Sequence, residues 1–387
     1  MAVQEQFPHV HWVWKGAISF VYEVHPRIVV KVPKSGDFER EQFRKEVRIY
    51  ELFSQHPLCP SVVQCFFYTE NGIFLEYMRD VSLCYRIQKN HILDKKTHVV
   101  IKVEKLEPLR LRKQWMNELA QAVAFLESLN LAHGDLRPEN ILLDRDQLKL
   151  SDFDCTAEFG ADFDACMAPY GRILNSDEPD HGRCGSAGFL GPRTEQFALG
   201  SLYYFINYGF EVYGDRCLTE EPYEHGPMVL KYLQRLQFPD LDSNPPIDDI
   251  IDKCWHNRYT TIADLASHTK RLMDESANTT TNSELGGREE GSRGVRIPVE
   301  TVSNRGPVTL NHTIDGLQDS LENLSMLVSQ NANDAVTTDG RAIGDIRGDF
   351  SKREFSQGLE SRGLLSLLSS GEPEELGFKL VWYRHSL

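Results

Sequence analysis

Three features are missing from this 387-residue sequence, and each absence narrows what the protein can be. No apolar run approaches the length of a membrane span, so we expect no transmembrane helix. None of the eight cysteines stands in a C-x-x-C pair, which leaves a zinc ribbon unsupported and favours free thiols in a reducing compartment. Positive charge is scarce as well. The formal net charge of -15 at pH 7 argues against a nucleic acid or an anionic membrane surface as the main partner.

The N-terminal residues also lack a feature. Residues 1–6 contain neither a basic stretch nor an apolar core, so we expect no signal peptide and a cytoplasmic or nuclear location rather than secretion. Hydrophobic residues make up 41% of the sequence and charged residues 26%, which is enough for a folded core. The length predicts two folding units, or one bilobal domain with a tail.

The most informative stretch, 133–143, lies between a helical apolar pattern and a strand-like one. Its polar residues are an acid, a base and an amide: Asp135 can accept a proton from a hydroxyl, Arg137 can neutralise a phosphate, and Asn140 can offer an oxygen to a hard cation. Asp152 follows a second short apolar run. Two oxygen ligands plus substrate phosphates are the usual way in which Mg²⁺ is held.

This stretch resembles the catalytic loop of eukaryotic-type protein kinases, His-Arg-Asp-Leu-x-x-x-x-Asn, and the residues around Asp152 resemble the Asp-Phe-Gly motif that follows it. Two residues depart from the family pattern: Gly134 replaces the arginine and Asp154 replaces the glycine. The resemblance covers most of residues 10–273.

The resemblance implies an α+β, bilobal protein-kinase-like fold with a small antiparallel β-rich N-lobe and a larger, mainly helical C-lobe. We expect the N-lobe in residues 10–78 and the C-lobe in residues 79–274. Residues 275–387 are expected to be a flexible tail of low order, because residues 278–294 have the composition of a linker. Short amphipathic helices, at 314–328 and 364–368, would dock on the domain or bind a partner.

In the N-lobe the resemblance assigns the nucleotide-binding residues. Gly16 is the one glycine that remains of the loop covering the phosphates. Lys31, in the strand-like run Ile28–Val32, would hold the α- and β-phosphates of ATP. Glu46 on the next helix would pair with Lys31, although Glu41 and Glu51 lie on the same helix and leave the register open.

The resemblance also assigns the link between the lobes and the reacting groups. Main-chain groups of Glu76 and Met78 would bind the adenine. Asp135 would orient and deprotonate the acceptor hydroxyl, and Arg137 stands where serine/threonine kinases have a lysine near the γ-phosphate. Two further residues, Asn140 and Asp152, would ligate Mg²⁺ or Mn²⁺.

After Asp154 the match is looser. Residues 155–187 correspond to the activation segment, and Gly191-Pro192-Arg193 stands where the family has Ala-Pro-Glu. Glu195 would replace the aspartate that holds the backbone of the catalytic loop, or alternatively would pair with Arg258.

Phosphorylation of the activation segment is not expected to control activity. Gly134 has no side chain to receive an activation-segment phosphate. The hydroxyls available for phosphorylation would be those of Ser176, Ser186 and Tyr170, and the replacement receivers would be Arg172 and Arg183.

Three hypotheses for the function follow. The first is an ATP- and Mg-dependent phosphotransferase that acts on Ser/Thr rather than Tyr hydroxyls. The second is a pseudokinase, a non-catalytic nucleotide-binding or scaffold module, because the glycine-rich loop is eroded. The third is a small-molecule kinase, because His-Gly-Asp is also the form seen in kinases similar to aminoglycoside and choline phosphotransferases. The acceptor is therefore a protein or a small-molecule hydroxyl.

Overall fold

An antiparallel sheet and a set of helices make up the computed structural model, which describes residues 3–80, 82–164, 168–219, 224–283 and 351–381. The predicted amphipathic segment 314–328 lies outside these residues, as does most of the predicted linker.

The N-lobe is a five-stranded sheet in the order β1-β2-β3-β5-β4, and each strand is antiparallel to its neighbours. A short helix, α1, precedes the sheet, and α2 follows β3. The elements are α1 (Val3–Gln6), β1 (His11–Lys15), β2 (Ser19–His25), β3 (Ile28–Pro33), α2 (Asp37–Phe53), β4 (Cys65–Thr69) and β5 (Gly72–Glu76).

Helix α2 packs against the sheet through one narrow face. Its buried residues are Phe43, Glu46, Tyr50 and Phe53, whose spacing of three and four places them on one side of a helix. Glu46 is the one charged residue among these aromatic ones, and its position on the buried face of α2 places its carboxylate in the core.

The C-lobe consists mainly of helices around a central pair, α4 and α5. Its helices are α3 (Leu83–Gln88), α4 (Leu109–Ser128), α5 (Pro192–Tyr208), α6 (His225–Gln234), α7 (Pro245–Trp255) and α8 (Ile262–Ser283). Its short antiparallel ladders pair β6 (His91–Leu93) with β7 (Val100–Val103), β8 (Leu131–Ala132) with β11 (Ala157–Glu158), and β9 (Ile141–Asp144) with β10 (Gln147–Leu150). The predicted bilobal α+β fold is confirmed.

The catalytic loop lies between the core helix α4 and the β9–β10 ladder. Trp115, Leu119 and Leu126 of α4 are fully buried, as the apolar pattern of this helix predicts. Strands β9 and β10 then place residues 141 and 150 opposite each other, which brings the segment after β10 back beside the loop. The polar residues of the two motifs are therefore held by buried secondary structure on both sides.

Residues 351–381 pack on the N-lobe sheet, on the face opposite α2. They form α9 (Lys352–Ser361) and α10 (Leu364–Leu368). Alternate strand residues explain the two-sided packing: Val29 and Ile73 belong to the cluster that includes α2, whereas Val30 and Phe74 pack with Leu364. Residue 381 also donates a backbone hydrogen bond to Trp12 of β1 at 2.9 Å. We call residues 351–381 the C-terminal cap.

Among the helices of the described residues, none combines the length and the apolar character that a membrane crossing requires.

Candidate active site

Lys31 of β3 lies between two carboxylates. Its Nζ is 2.7 Å from Oε2 of Glu46 and 2.5 Å from Oδ1 of Asp152. Lys31 and Glu46 are 8% and 1% exposed, so the ion pair is inside the protein. The structure therefore selects Glu46, rather than Glu41 or Glu51, as the partner of Lys31, and the predicted ion pair is confirmed.

The charges of Lys31 and Asp152 hold each other ionised. Burial alone would lower the pKa of Lys31, but the carboxylates of Asp152 and Glu46 raise it above its ordinary value. Burial alone would raise the pKa of Asp152, but the Lys31 ammonium holds it below its ordinary value. Burial raises the pKa of Glu46 against the attraction of Lys31. Two carboxylates around one ammonium leave an excess of negative charge, which favours a bound cation.

The catalytic loop brings together Asp135, Arg137 and Asn140. Asn140 donates from Nδ2 to Oδ2 of Asp135 at 2.8 Å and to its backbone oxygen at 2.9 Å. Nε of Arg137 lies 3.1 Å from Oδ2 of Asp135. These contacts fix the position of the Asp135 carboxylate. Asn140 uses only its amide nitrogen in them, and its amide oxygen takes no part.

Glu195, at the start of α5, supports the catalytic loop from below. Its carboxylate accepts hydrogen bonds from the backbone nitrogens of His133 at 2.8 Å and Gly134 at 3.4 Å. This is the loop-holding role that the sequence predicts for Glu195. The alternative pairing with Arg258 is wrong, because Nη1 of Arg258 is 2.9 Å from Oδ2 of Asp252, an acid on the neighbouring helix α7.

Gly134 is required by sterics. Its φ is +77°, in the left-handed region that favours glycine, and a Cβ there would lie 2.6 Å from the backbone oxygen of Cys155. The neighbour is backbone and cannot rotate away. The departure from the family's arginine therefore allows the segment after Asp152 to approach the catalytic loop closely.

Phe153 connects α2 to the catalytic loop. Its buried ring makes edge contacts with Tyr50, Phe53 and His133, with centroid distances of 5.5, 5.1 and 5.3 Å. Such aromatic pairs contribute about 0.5–1.5 kcal/mol each beyond their buried area. The preceding residue, Asp152, has a φ of +66°, a backbone conformation that is uncommon outside glycine and concentrates at functional sites.

Comparison with known proteins agrees with this geometry. The family model described as "Protein kinase domain" matches residues 15–194. The chain contains a eukaryotic-type protein kinase-like domain. It is similar to the human phosphorylase b kinase gamma catalytic chain, liver/testis isoform, with 26% identity over 252 residues, which is 63% of this chain and 53% of the relative.

Two plant relatives match a shorter part of the kinase-like domain. CBL-interacting protein kinase 30 of Oryza sativa subsp. japonica is 26% identical over 40% of this chain and 34% of its own length. CBL-interacting serine/threonine-protein kinase 16 of Arabidopsis thaliana is 29% identical over 43% of this chain and 33% of its own length. The chain thus spans about half the length of the first of these relatives and a third of the others.

The remaining residues that are predicted to bind the nucleotide lie on separate elements. Gly16 is in the turn between β1 and β2, where its backbone nitrogen donates to Ser19 at 2.9 Å. Glu76 ends β5, and Met78 is buried in the segment that leads to α3. The assignment of these three residues to the phosphates and the adenine stays a prediction.

The oxygen donors near the loop fit a hard cation. Asn140 and Asp152 sit on adjoining segments, because the backbone oxygen of Asn140 accepts from Ser151 at 3.0 Å. Half-buried Asp154 adds a carboxylate whose pKa is raised by burial and by neighbouring Asp152. No group of three or more His, Cys, Asp or Glu side chains suited to a metal occurs in the described part of the chain. A cation here would thus need one carboxylate, one amide and ligand phosphates.

Sequence reasoning missed a second buried lysine of the kinase-like domain. Lys149 of β10 is 3% exposed, and its Nζ lies 2.6 Å from Oε2 of Glu76. The signal was the same one that marked Lys31, a lysine inside an apolar strand. This ion pair fixes the side chain of the residue that is expected to present its main chain to the adenine.

The activation segment is held by an internal ion pair. Arg172 is buried and binds Glu178 through both guanidinium nitrogens, with Nη1 2.8 Å from Oε2. The guanidinium of Arg172 is therefore already paired with a carboxylate and needs no phosphate as its partner. Tyr170 is buried as well, and its hydroxyl donates to Glu211 at 3.0 Å. The expectation that Tyr170 offers an available hydroxyl is wrong, whereas Ser176 is exposed and Ser186 is half-buried.

Proposed function

We propose that this chain is an ATP- and divalent-metal-dependent phosphotransferase that acts on Ser/Thr hydroxyls. The observation that carries the proposal is the meeting of Lys31 with both Glu46 and Asp152, beside a loop on which Asp135 and Asn140 are hydrogen-bonded. Burying the charges of Lys31 and Glu46 costs several kcal/mol unless each is paired. Phosphoryl transfer uses this set of groups for positioning and charge neutralisation.

Each residue has one chemical task in the proposal. Lys31 binds the α- and β-phosphates, and Glu46 holds its ammonium in place. Asp135 orients the acceptor hydroxyl and takes its proton as the bond to phosphorus forms. A divalent cation would be held by Asn140 and Asp152 and would neutralise charge on the transferred phosphoryl group.

Arg137 has two partners in the proposal. Its side chain is paired with Asp135 and is about half exposed, so it can turn toward a γ-phosphate when a nucleotide is bound. An arginine offers a planar fork that contacts two phosphate oxygens, unlike the single point charge of a lysine. We therefore expect the phosphate contact to be specific in direction as well as in charge.

The Ser/Thr preference is supported by the relatives alone. One is described as a serine/threonine-protein kinase and another as a phosphorylase b kinase chain. Since the chain covers only part of each relative, their substrates are suggestions for the first acceptors to assay.

The pseudokinase hypothesis is favoured by one observation, the turn of β1 and β2, in which Gly16 is the one glycine of residues 14–19. The small-molecule hypothesis rests on Gly134 and on Asp154 after Asp-Phe, and the support from Gly134 is now weaker. The close approach of the Cys155 carbonyl gives a steric reason for glycine that is independent of the acceptor.

The test is phosphate transfer from ATP to peptide libraries and, in parallel, to small alcohols and amines. We expect transfer to Ser/Thr peptides by the wild type, and a loss of about 10²–10⁴-fold in Asp135→Asn. Asp146→Asn is the matched control, because Asp146 is an acid in the β9–β10 turn whose side chain is 66% exposed. ATP binding without transfer in any arm would instead establish a pseudokinase.

A further inference from the structure

A second cavity lies away from the candidate active site. It has a volume of about 440 Å³ and lies between the end of the activation segment and the loop that follows α7. The side chains that matter here are those of Asp180, His181, Phe189, Arg193 and Arg258. Its volume is typical of a site for a small organic ligand and much larger than a few water molecules require.

Arg193 is a buried cation in the wall of this cavity. It is 7% exposed, and its Nη2 donates to the backbone oxygen of Ala187 at 2.7 Å. That acceptor is neutral. In the part of the chain that the structure describes, no carboxylate lies within ion-pair distance of the Arg193 guanidinium.

The nearest acid is already engaged. Glu178 binds Arg172, and Nε of Arg172 has no hydrogen-bond partner among the described residues. Two buried guanidinium groups thus share one carboxylate, and burial together with the repulsion of Arg172 lowers the pKa of Arg193 to about 10. One buried positive charge is left without a counterion.

The other charged groups at the cavity do not supply that counterion. Arg258 adds a second positive charge, which Asp252 balances at 2.9 Å. Asp180 is exposed and forms no ion pair with Arg193 in the described structure. His181 adds a further positive charge when it is protonated.

An anion inside the cavity would supply the missing counterion for Arg193. An unpaired buried charge destabilises the fold, and an anion with several acceptor oxygens satisfies the fork of a guanidinium. The wall also contains exposed Phe189, which can contact an organic group attached to the anion.

We propose that this cavity binds a phosphate monoester, whose dianionic group pairs with Arg193 and Arg258. The ester is either a free metabolite or the phosphorylated side chain of a peptide, since both present the same group. The site does not depend on phosphotransfer at Asp135, and a chain without kinase activity would retain it.

Calorimetric titration with O-phosphoserine, with a phosphoserine peptide and with the same peptide unphosphorylated tests the proposal. We expect the phosphorylated probes to bind the wild type and the unphosphorylated peptide to bind at least tenfold more weakly. Tighter binding of the peptide than of O-phosphoserine identifies a protein ligand, and equal binding identifies a free metabolite.

Two arginine variants and one lysine variant locate the site. Arg193→Met keeps the length of the side chain and removes its charge, and we expect at least tenfold weaker binding. Arg258→Ala, at a side chain that is 56% exposed, tests the same site without disturbing the core. Lys31→Met, in the other candidate phosphate site, should bind like the wild type.

The outcomes separate the alternatives. Loss of binding in Lys31→Met with retention in both arginine variants would show that the probe enters the nucleotide site, and would overturn the proposal. No binding of O-phosphoserine by the wild type at about 10 mM, which corresponds to an affinity weaker than ~3 kcal/mol, would overturn it as well. If Arg193→Met does not fold, a tenfold loss in folded Arg258→Ala supports the site, and an unchanged affinity there overturns it.

Discussion

The carboxylate of Glu195 accepts a 2.8 Å hydrogen bond from the backbone nitrogen of His133, so an acid in the first turn of α5 holds the first residue of the predicted catalytic loop. Glu195 is fully enclosed, and burial raises its pKa to about 7 despite the hydrogen bonds from His133 and Gly134. The protonation of this one group is therefore linked to the stability of the fold.

The first prediction is a pH dependence that Glu195 causes. A pKa raised in the folded state, from an ordinary value of 4.5 to about 7, gives stability that is complete below 4.5 and is lost as the pH rises through 7. The size of the effect is about 3 kcal/mol. Urea unfolding measured between pH 4.5 and 8 should show this decline in the wild type and a smaller one in Glu195→Gln.

Glu158→Gln is the control for that series, because Glu158 is an exposed acid in the same lobe. Its profile should follow the wild type. Equal slopes in wild type and Glu195→Gln would show that other groups, such as half-buried Glu211, cause the dependence.

The second prediction compares two glycines with similar backbones. Gly134 and Gly160 have φ values of +77° and +88°, but a Cβ at Gly160 would meet nothing within 4 Å. Alanine at either position strains the backbone by about 1–3 kcal/mol. Gly134→Ala must also displace the Cys155 carbonyl, so it should destabilise the protein more in urea unfolding and should lower phosphate transfer. Equal destabilisation by the two variants would contradict the close approach.

The third prediction concerns the carboxylate that follows Phe153. Burial raises the pKa of Asp154, and so does the repulsion between Asp154 and Asp152 when no cation is present. Nucleotide binding should therefore depend strongly on Mg²⁺ or Mn²⁺. We expect Asp154→Gly to keep activity with a weaker metal dependence, and Asp152→Asn to lose activity.

Titration of ATP with and without metal distinguishes these variants. Identical metal dependence of wild type and Asp154→Gly would mean that Asp154 has no part in cation binding.

The fourth prediction is that phosphatase treatment leaves phosphate transfer unchanged. The carboxylate of Glu178 already supplies Arg172 with the negative charge that an activation-segment phosphate would bring. Glu178→Gln should lower transfer several-fold, whereas Ser176→Ala, at an exposed residue, and Ser186→Ala, at a half-buried one, should have little effect because neither serine takes part in the ion pair. Loss of activity on dephosphorylation, reproduced by either serine variant, would show that phosphorylation of the activation segment controls activity.

The fifth prediction is that the C-terminal cap stabilises the N-lobe. Leu365 is fully buried against Gly72 of β5, where an added Cβ would lie 2.5 Å from its Cδ2. Leu365→Ala should cost about 2–5 kcal/mol of unfolding free energy. Ile101→Ala removes a similar volume from a side chain that is 45% exposed and should cost much less. Similar costs in the two variants would place the cap outside the cooperative unit.

The sequence predicted the parts of the site that local motifs encode. Lys31, Glu46 and Asp152 are far apart along the chain, yet each stands in a pattern that fixes its element, and the three meet in the structure. The loop contacts of Asp135 with Asn140 follow from their spacing on one turn.

What the sequence did not predict depends on long-range packing. Arg258 pairs with Asp252 because the two residues lie beside each other at the end of α7. The comparison of motifs did not consider Asp252 as a partner. The burial of Tyr170 depends on Glu211, which is distant in sequence. Leu364 packs in one apolar cluster with Phe74 and with Val30 of β3. One feature is consistent with this cover: β3 is buried along its whole length, as strands covered on both faces are.

The position of the C-terminal cap also bears on how the protein is made. Phe74 emerges from the ribosome about 290 residues before Leu364, the residue that covers it. At 5–20 residues per second, the apolar outer face of the sheet stays bare for roughly 15–60 s during synthesis. We therefore expect the nascent N-lobe to expose this face to chaperones until residues 351–381 have been synthesised, and ribosome-bound intermediates to be more sensitive to protease than the folded chain.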